Sequence, residues 1–269
     1  MGKVLILQNA PHFTGGNFEA ELTHLGIPFE YHKVFEKGAP PVDHAALYSG
    51  FIVLGGPLRF RVDQTEKNPQ LSKEIFFLRA VLDTHKPIIA VSQGACLLAQ
   101  AQGAWVAREP RKVIGWMSAE IYPDYSRNSV IYSKVEEKKF PAFAWFDTFH
   151  GFPPTGYWYA YHPYCRYFSS GILGSSYLFN FHPEVTPELV ETWLKEYGSE
   201  LPDKAMAEQI RKETQEHFEY TKGFAHKIIH AFESFLDREI YHKGPPAHAP
   251  TPAPEASASA ASVPSENAS

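Results

Sequence analysis

Pro87-Ile88-Ile89-Ala90-Val91-Ser92-Gln93-Gly94-Ala95-Cys96-Leu97-Leu98-Ala99-Gln100 is the stretch whose reading decides the fold. An uncharged apolar run enters a hydroxyl residue, and helix formers follow up to Gly103. The pattern predicts a buried strand, a sharp corner at Ser92 and a helix. A nucleophile held at such a corner sits in a strained conformation, so the residues two positions away must be small, and Ala90 and Gly94 are. The start of the helix aims backbone N–H groups and a positive dipole end at the Ser92 hydroxyl. Strand–helix junctions with Ser and Gly also serve nucleotide-binding domains that have no nucleophile, so this segment alone leaves both uses open.

On the N-terminal side the same alternation recurs. Val4–Leu7 reads as a buried strand, Phe18–Leu25 as a helix closed by Gly26, and Phe29–Val34 as a second strand. Phe51–Leu54 reads as a third strand, ending in Gly55-Gly56-Pro57, and a helix capped by Ser72 runs to about His85. Strands alternating with helices predict an α/β protein with a mainly parallel sheet and helices on both faces.

On the C-terminal side the pattern changes. Val106–Leu178 is rich in Tyr, Phe, Pro and Ser, and it reads as added antiparallel strands (Met117–Tyr122, Ser129–Tyr132) joined by long loops. Phe179-Asn180-Phe181 reads as a short strand leading to His182. Thr186-Pro187-Glu188 carries a cap, a first-turn proline and an acid, which starts a helix that Gly198 stops. From Asp203 to Tyr241, Ala225, Ile228, Ile229, Phe232, Phe235 and Leu236 recur at helical spacing. That stripe packs on the main body or joins two copies. From Lys243 onward Pro, Ala and Ser dominate, and such a segment cannot bury enough apolar surface to fold. The expected division is residues 1–198 as one α/β domain, 199–242 as a C-terminal helical extension packed on it, and 243–269 as a disordered tail.

Composition bounds the partners. The chain has 269 residues, 44% of them hydrophobic, and a formal net charge of -5. A mildly acidic chain with no Lys/Arg cluster argues against nucleic acid. No apolar run is long enough to span a bilayer, and the short apolar start stops at Gln8-Asn9, too soon for a signal peptide. Two cysteines, Cys96 and Cys165, read as reduced thiols of a cytoplasmic protein. No cofactor is implied: metal-ligand spacings and a phosphate-binding glycine loop of the usual spacing are not evident.

Two further segments bear on chemistry. His182 and Glu184 are two apart, and in an extended segment they face one side, so the carboxylate can orient the imidazole as base and orienter of a triad. A surface histidine beside a helix-capping acid is the plainer account. Gly55 and Gly56 follow a buried strand and can aim backbone N–H groups into a cleft, stabilising an oxyanion together with the N–H of Gln93. An ordinary tight turn would look the same.

Taken in order, the glycine loop, the elbow and His-x-Glu before a Thr-Pro-Glu helix start resemble the class I glutamine amidotransferases, in particular the stand-alone group similar to the glutaminase domain of GMP synthase. Leu5–His12, Val53–Pro57, Leu97–Gly103, Pro110–Trp116 and Phe181–Val190 carry the resemblance, which runs from Met1 to about Arg238. It implies a flavodoxin-like three-layer sandwich. It also implies glutamine or a related amide as small-molecule substrate, hydrolysed to glutamate and ammonia through a covalent thioester. A synthetase or other protein partner that receives the ammonia is implied as well.

The elbow departs from the family pattern Gly-x-Cys-x-Gly-x-Gln. Ser92 stands at the nucleophile, Ala90 at the first glycine, and Cys96 at the glutamine associated with the substrate pocket. A hydroxyl is harder to ionise than a thiol and must lose its proton to His182 during attack. Phe143–Pro154 holds the residue types of the family's Trp-His-Gly-Asp-Thr-Phe stretch in a different order, with His150 either facing the cleft or structural. Three readings follow: an amidotransferase site still acting on glutamine or a related amide; a serine hydrolase using Ser92, His182 and Glu184; and a non-catalytic relative that binds a ligand or partner. Cys96 as a displaced nucleophile is the remaining alternative.

Overall fold

A computed structural model describes residues 2–58, 60–127 and 129–236. The expected disordered tail, 243–269, lies outside the described residues. The strands are β1 Val4–Gln8, β2 Phe29–Lys33, β3 Gly50–Val53, β4 Ile88–Val91, β5 Val106–Ile121, β6 Lys139–His150, β7 Gly156–His162, β8 Cys165–Ile172 and β9 Ser176–Phe179. The helices are α1 Asn17–His24, α2 Val34–Lys37, α3 His44–Leu47, α4 Pro69–Asp83, α5 Gln93–Ala101, α6 Pro123–Ser126, α7 Pro187–Tyr197 and α8 Lys204–Leu236.

One sheet holds all nine strands in the order β2-β1-β3-β4-β9-β8-β7-β5-β6. The pairs from β2 to β9 are parallel and those from β9 to β6 antiparallel. The inner parallel strands β1, β3 and β4 are buried on both faces, which is why they read as unbroken apolar runs rather than alternating ones, whereas β2, at the sheet edge, is half-buried. Val4, Ile6, Ile52, Ile89 and Val91 point into a core shared with Phe18 and Leu22 of α1 and Phe224, Ile228 and Phe232 of α8. Leu5, Leu7, Phe51, Val53, Ile88 and Ala90 point the other way, onto Leu71, Leu78 and Val81 of α4 and Leu97 and Leu98 of α5. The architecture is the expected three-layer α/β sandwich, flavodoxin-like in its parallel half, with an antiparallel extension.

Several boundaries differ from the sequence reading. α4 begins earlier than Ser72: the Asn68 side chain accepts from the Gln70 N–H at 3.1 Å, and Pro69 takes the first helical position. Ser129–Tyr132 is not a strand but a turn entering a 3₁₀ segment at Tyr132–Lys134, because the Ser129 hydroxyl accepts from the N–H groups of Ile131 and Tyr132. The stretch taken for long loops contains β6, twelve residues long, with Pro141 tolerated because β6 is a sheet edge. The last parallel strand is Ser176–Phe179 and ends before Asn180.

α7 starts where Thr186-Pro187-Glu188 placed it, with the Thr186 hydroxyl accepting from the Leu189 N–H at 3.2 Å. Thr186→Ala should cost about 1 kcal/mol, read as a melting-temperature drop of roughly 2–4 °C in a chain of this size. α8 buries Ala225, Ile228, Ile229, Phe232 and Leu236 of the expected stripe against the body of the same chain, with Phe235 half-buried beside them. The fit is close at Gly50, where a Cβ would stand 2.6 Å from the Phe232 ring and the Leu236 side chain. Among the described residues no helix is long and apolar enough to cross a membrane.

Candidate active site

The carboxyl ends of β1, β3, β4 and β9 meet at one edge of the sheet, where ligands of open α/β sheets bind. Ser92 follows β4 and caps α5. Its φ of 51° and ψ of -125° put a non-glycine residue in a strained region, the conformation the elbow reading requires. The strain is held from two sides. The Ser92 N–H donates to the Phe179 carbonyl at 2.7 Å, and its own carbonyl accepts from the N–H groups of Ala95 and Cys96. Gly55 lies directly against the corner, where a Cβ would stand 2.9 Å from the Ser92 Cβ and 3.0 Å from the Gln93 Oε1.

His182 and Glu184 do meet: Nδ1–H donates to the Glu184 Oε1 at 2.7 Å, both residues being buried. The backbone between them is a turn, closed by Val185 N–H to the His182 carbonyl, and not the extended segment the two-residue spacing suggested. Two long-range contacts fix it. The His182 N–H donates to the Phe143 carbonyl of β6 at 2.7 Å, and the Asn17 N–H at the start of α1 donates to the Glu184 carbonyl at 2.8 Å. Gly16 at φ 47° leaves space for that carbonyl, which any side chain there would strike.

The serine and the imidazole are not joined. Ser92 Oγ donates to the Gln93 Oε1 at 2.8 Å, with a long second contact to the Trp145 carbonyl at 3.4 Å. The Gln93 Oε1 also accepts the Gly56 N–H at 3.1 Å. His182 Nε2, Glu184 Oε2 and Gln93 Nε2 are buried and have no hydrogen-bond partner among the described residues. Phe13, Phe143 and Trp193 surround the imidazole, with the Trp193 ring edge-on at 4.8 Å. Glu200 pins this cover: its Oε2 accepts from Trp145 Nε1 at 2.6 Å and from the Leu58 N–H of the glycine loop at 3.2 Å. Trp193 Nε1 and the Tyr197 hydroxyl donate to the carbonyls of His12 and Pro11, so α7 holds the loop that carries Phe13.

Cys96 lies one turn into α5, fully buried. Its sulfur is 3.7 Å from the Thr148 carbonyl and 3.8 Å from Asn180 Oδ1. Burial pushes its thiol well above the ordinary range, so it is not a poised thiolate. His150, at the end of β6, is also buried: Nδ1–H donates to the Gly151 carbonyl, and Nε2 accepts from Asn180 Nδ2 at 3.0 Å. Loss of solvent lowers its pKa to about 4. His150 is therefore a neutral structural imidazole. Phe13, Trp193, Glu200 and the Arg108–Asp147 pair at 2.7 Å are parts of this neighbourhood that sequence reasoning missed. Only β6 carried a signal, the reordered Trp/Asp/Thr/His stretch; nothing local marks the others.

No family model and no curated protein matches this sequence. Solved structures do. A glutamine amidotransferase from Methylobacillus flagellatus superposes with a TM-score of 0.79 at 21% identity, covering 90% of this chain and 98% of that one. A glutamine amidotransferase from Thermotoga maritima gives 0.76 at 20%, covering 88% and 98%. A Thermoplasma acidophilum protein named for one of the subunits of GMP synthase gives 0.61 at 16%, covering 87% and 96%. At these identities the likeness is one of fold: this chain is folded as glutamine amidotransferases are.

Proposed function

We infer that this chain is a relative of the class I glutamine amidotransferases, of the stand-alone group resembling the glutaminase domain of GMP synthase, whose glutaminase centre has lapsed and which acts by binding a ligand or partner. Residues 1–198 would form the amidotransferase-like domain and 199–242 its helical extension, in a cytoplasmic protein. The observation that carries the reading is the Gln93 carboxamide. Its oxygen takes both the Ser92 hydroxyl proton at 2.8 Å and the Gly56 N–H at 3.1 Å. It thus holds the hydroxyl proton that would have to pass to His182 for attack and takes up one N–H of the loop that would stabilise an oxyanion. A serine hydroxyl has one proton to donate, so turning it to His182 Nε2 means breaking the contact with Gln93, whose oxygen then keeps only the Gly56 N–H. The departures at Ala90, Ser92 and Cys96 support the same conclusion. The likeness to the protein named for one of the GMP synthase subunits supports a synthetase as the partner class.

A serine hydrolase is the second reading, favoured by the strained φ of 51° at Ser92 and the ready His182–Glu184 pair. One experiment separates the readings. Wild type, Ser92→Ala and Ser92→Cys are assayed for glutamate release from glutamine and for labelling by a fluorophosphonate probe. The expected result is neither activity in any of the three, Ser92→Cys included, because Gln93 still takes up the Gly56 N–H and the departures at Ala90 and Cys96 remain. Glutamate release that disappears in Ser92→Ala would restore the amidotransferase reading; probe labelling that disappears in Ser92→Ala would establish the hydrolase.

A further inference from the structure

We propose that Glu21, His226 and His230 form a binding site for a divalent transition-metal ion of the zinc class at the contact between α1 and α8. His226 and His230 are one turn apart on α8, a spacing that stacks two side chains on one helix face, and their ring centroids lie 4.1 Å apart. Glu21 reaches in from α1, with Oε2 2.9 Å from the His226 Nδ1. The ligand atoms of the three residues all fall within 4.8 Å of one another. Glu233, one turn further along α8, stands 3.5 Å from the His230 Nδ1 and can supply a fourth donor.

The donor set fixes the class of ion. Imidazole with carboxylate suits zinc, nickel and copper, whereas calcium and magnesium prefer oxygen throughout. Zinc bonds of about 2.0–2.2 Å bring tetrahedral ligand atoms to roughly 3.3 Å from one another, so the cluster must tighten by small rotations. The side chains have that freedom: His226 is 51% exposed and His230 37%. Two carboxylates, Glu21 and Glu233, adjoin the two imidazoles, and Lys227, the adjacent cation on α8, is turned away onto the Lys134 carbonyl. A plain His226–Glu21 ion pair accounts for one contact but not for the second imidazole packed against the first. Spacing alone hid the site because Glu21 and His226 are 205 residues apart. Bound there, the ion would clip α8 to the body of the chain.

The test uses the untagged full-length protein, stripped with chelator and titrated calorimetrically with zinc chloride, nickel chloride and magnesium chloride. The expected result is one zinc per chain at micromolar affinity, nickel uptake, no magnesium heat, and a melting temperature that rises with zinc. Glu21→Gln and His230→Gln should each weaken zinc at least about tenfold, and His85→Asn, outside the cluster, should not. Cobalt(II) in place of zinc should give a visible absorption band that both variants lose. Glu21→Gln keeps its shape at a partly exposed position, so it carries the test if His230→Gln folds poorly. Wild type that binds no zinc, or zinc affinity and cobalt band unchanged in Glu21→Gln, would overturn the proposal.

Discussion

Gly94→Ala is expected to destabilise the protein by about 3 kcal/mol, the upper end of the usual cost of overpacking a core, and to lower its melting temperature by roughly 6–12 °C. Gly94 opens α5 where the helix crosses the end of β3. A Cβ there would collide with the Val53 carbonyl oxygen and lie 2.9 Å from that of Leu54. Both atoms are backbone at the end of a central strand and the residue that follows it, so no side chain can swing aside and the whole helix must lift. The contrast is Gly223→Ala in α8. No heavy atom lies within 4 Å of a Cβ at Gly223, so the same substitution should stabilise by about 0.5–1 kcal/mol through helix propensity alone. Thermal or urea unfolding of the two variants checks both signs. Equal effects would show that α5 does not sit where the elbow requires.

The second large effect concerns Glu74, on the face of α4 that meets the sheet. It is fully buried, and neither carboxylate oxygen reaches hydrogen-bond geometry with a partner among the described residues. Burial raises its pKa from 4.5 to about 7, and the Asn9 side chain offsets only part of that rise. The folded state therefore holds this proton more tightly than the unfolded chain does. Stability from Glu74 is complete below about pH 4.5 and is lost as pH rises through 7, by about 3 kcal/mol for a shift of this size. Glu74→Gln keeps the shape and removes the charge. It should match wild type near pH 4 and exceed it by about 2–3 kcal/mol at pH 8, roughly 4–12 °C in melting temperature. Denaturant unfolding across that range is the measurement, and a variant less stable than wild type at pH 8 would mean that the carboxylate has a counter-charge in solution.

What could be read in advance follows from the range of the interactions. β1, β3 and β4 declare themselves because a strand buried on both faces must be apolar at every position, and Ser92 declares its corner because Ala90 and Gly94 flank it. α7 is legible to the residue, since the Thr186 cap, Pro187 and Gly198 all act locally. β6 was not legible: its Pro141, Asp147, Thr148 and His150 look like loop chemistry, and only the pairing with β5 makes the stretch a strand, with Asp147, Thr148 and His150 buried. The His182–Glu184 contact was anticipated for the wrong backbone. Glu74 gave no sign, because whether a glutamate on an amphipathic helix is buried depends on the register with which α4 meets the sheet. The engagement of Ser92 by Gln93 depends on one rotamer, which no sequence pattern specifies.

β9 lies between β4 and β8, and Val91 of β4 pairs with Phe179 of β9. During synthesis the two arrive far apart in time. At about 5–20 residues per second, the roughly 90 residues between them take on the order of 5–20 s to emerge. Over that interval β4, apolar on both faces, presents an unpaired edge, the kind that recruits other chains. The antiparallel β5–β8 segment is what the ribosome makes meanwhile, and it cannot close the sheet without β9. A chain stopped before residue 176 should therefore aggregate, while one stopped after α7 retains every strand. Quality control during translation, more than the chemistry of the finished elbow, is where an alteration in the middle of this chain would first be felt.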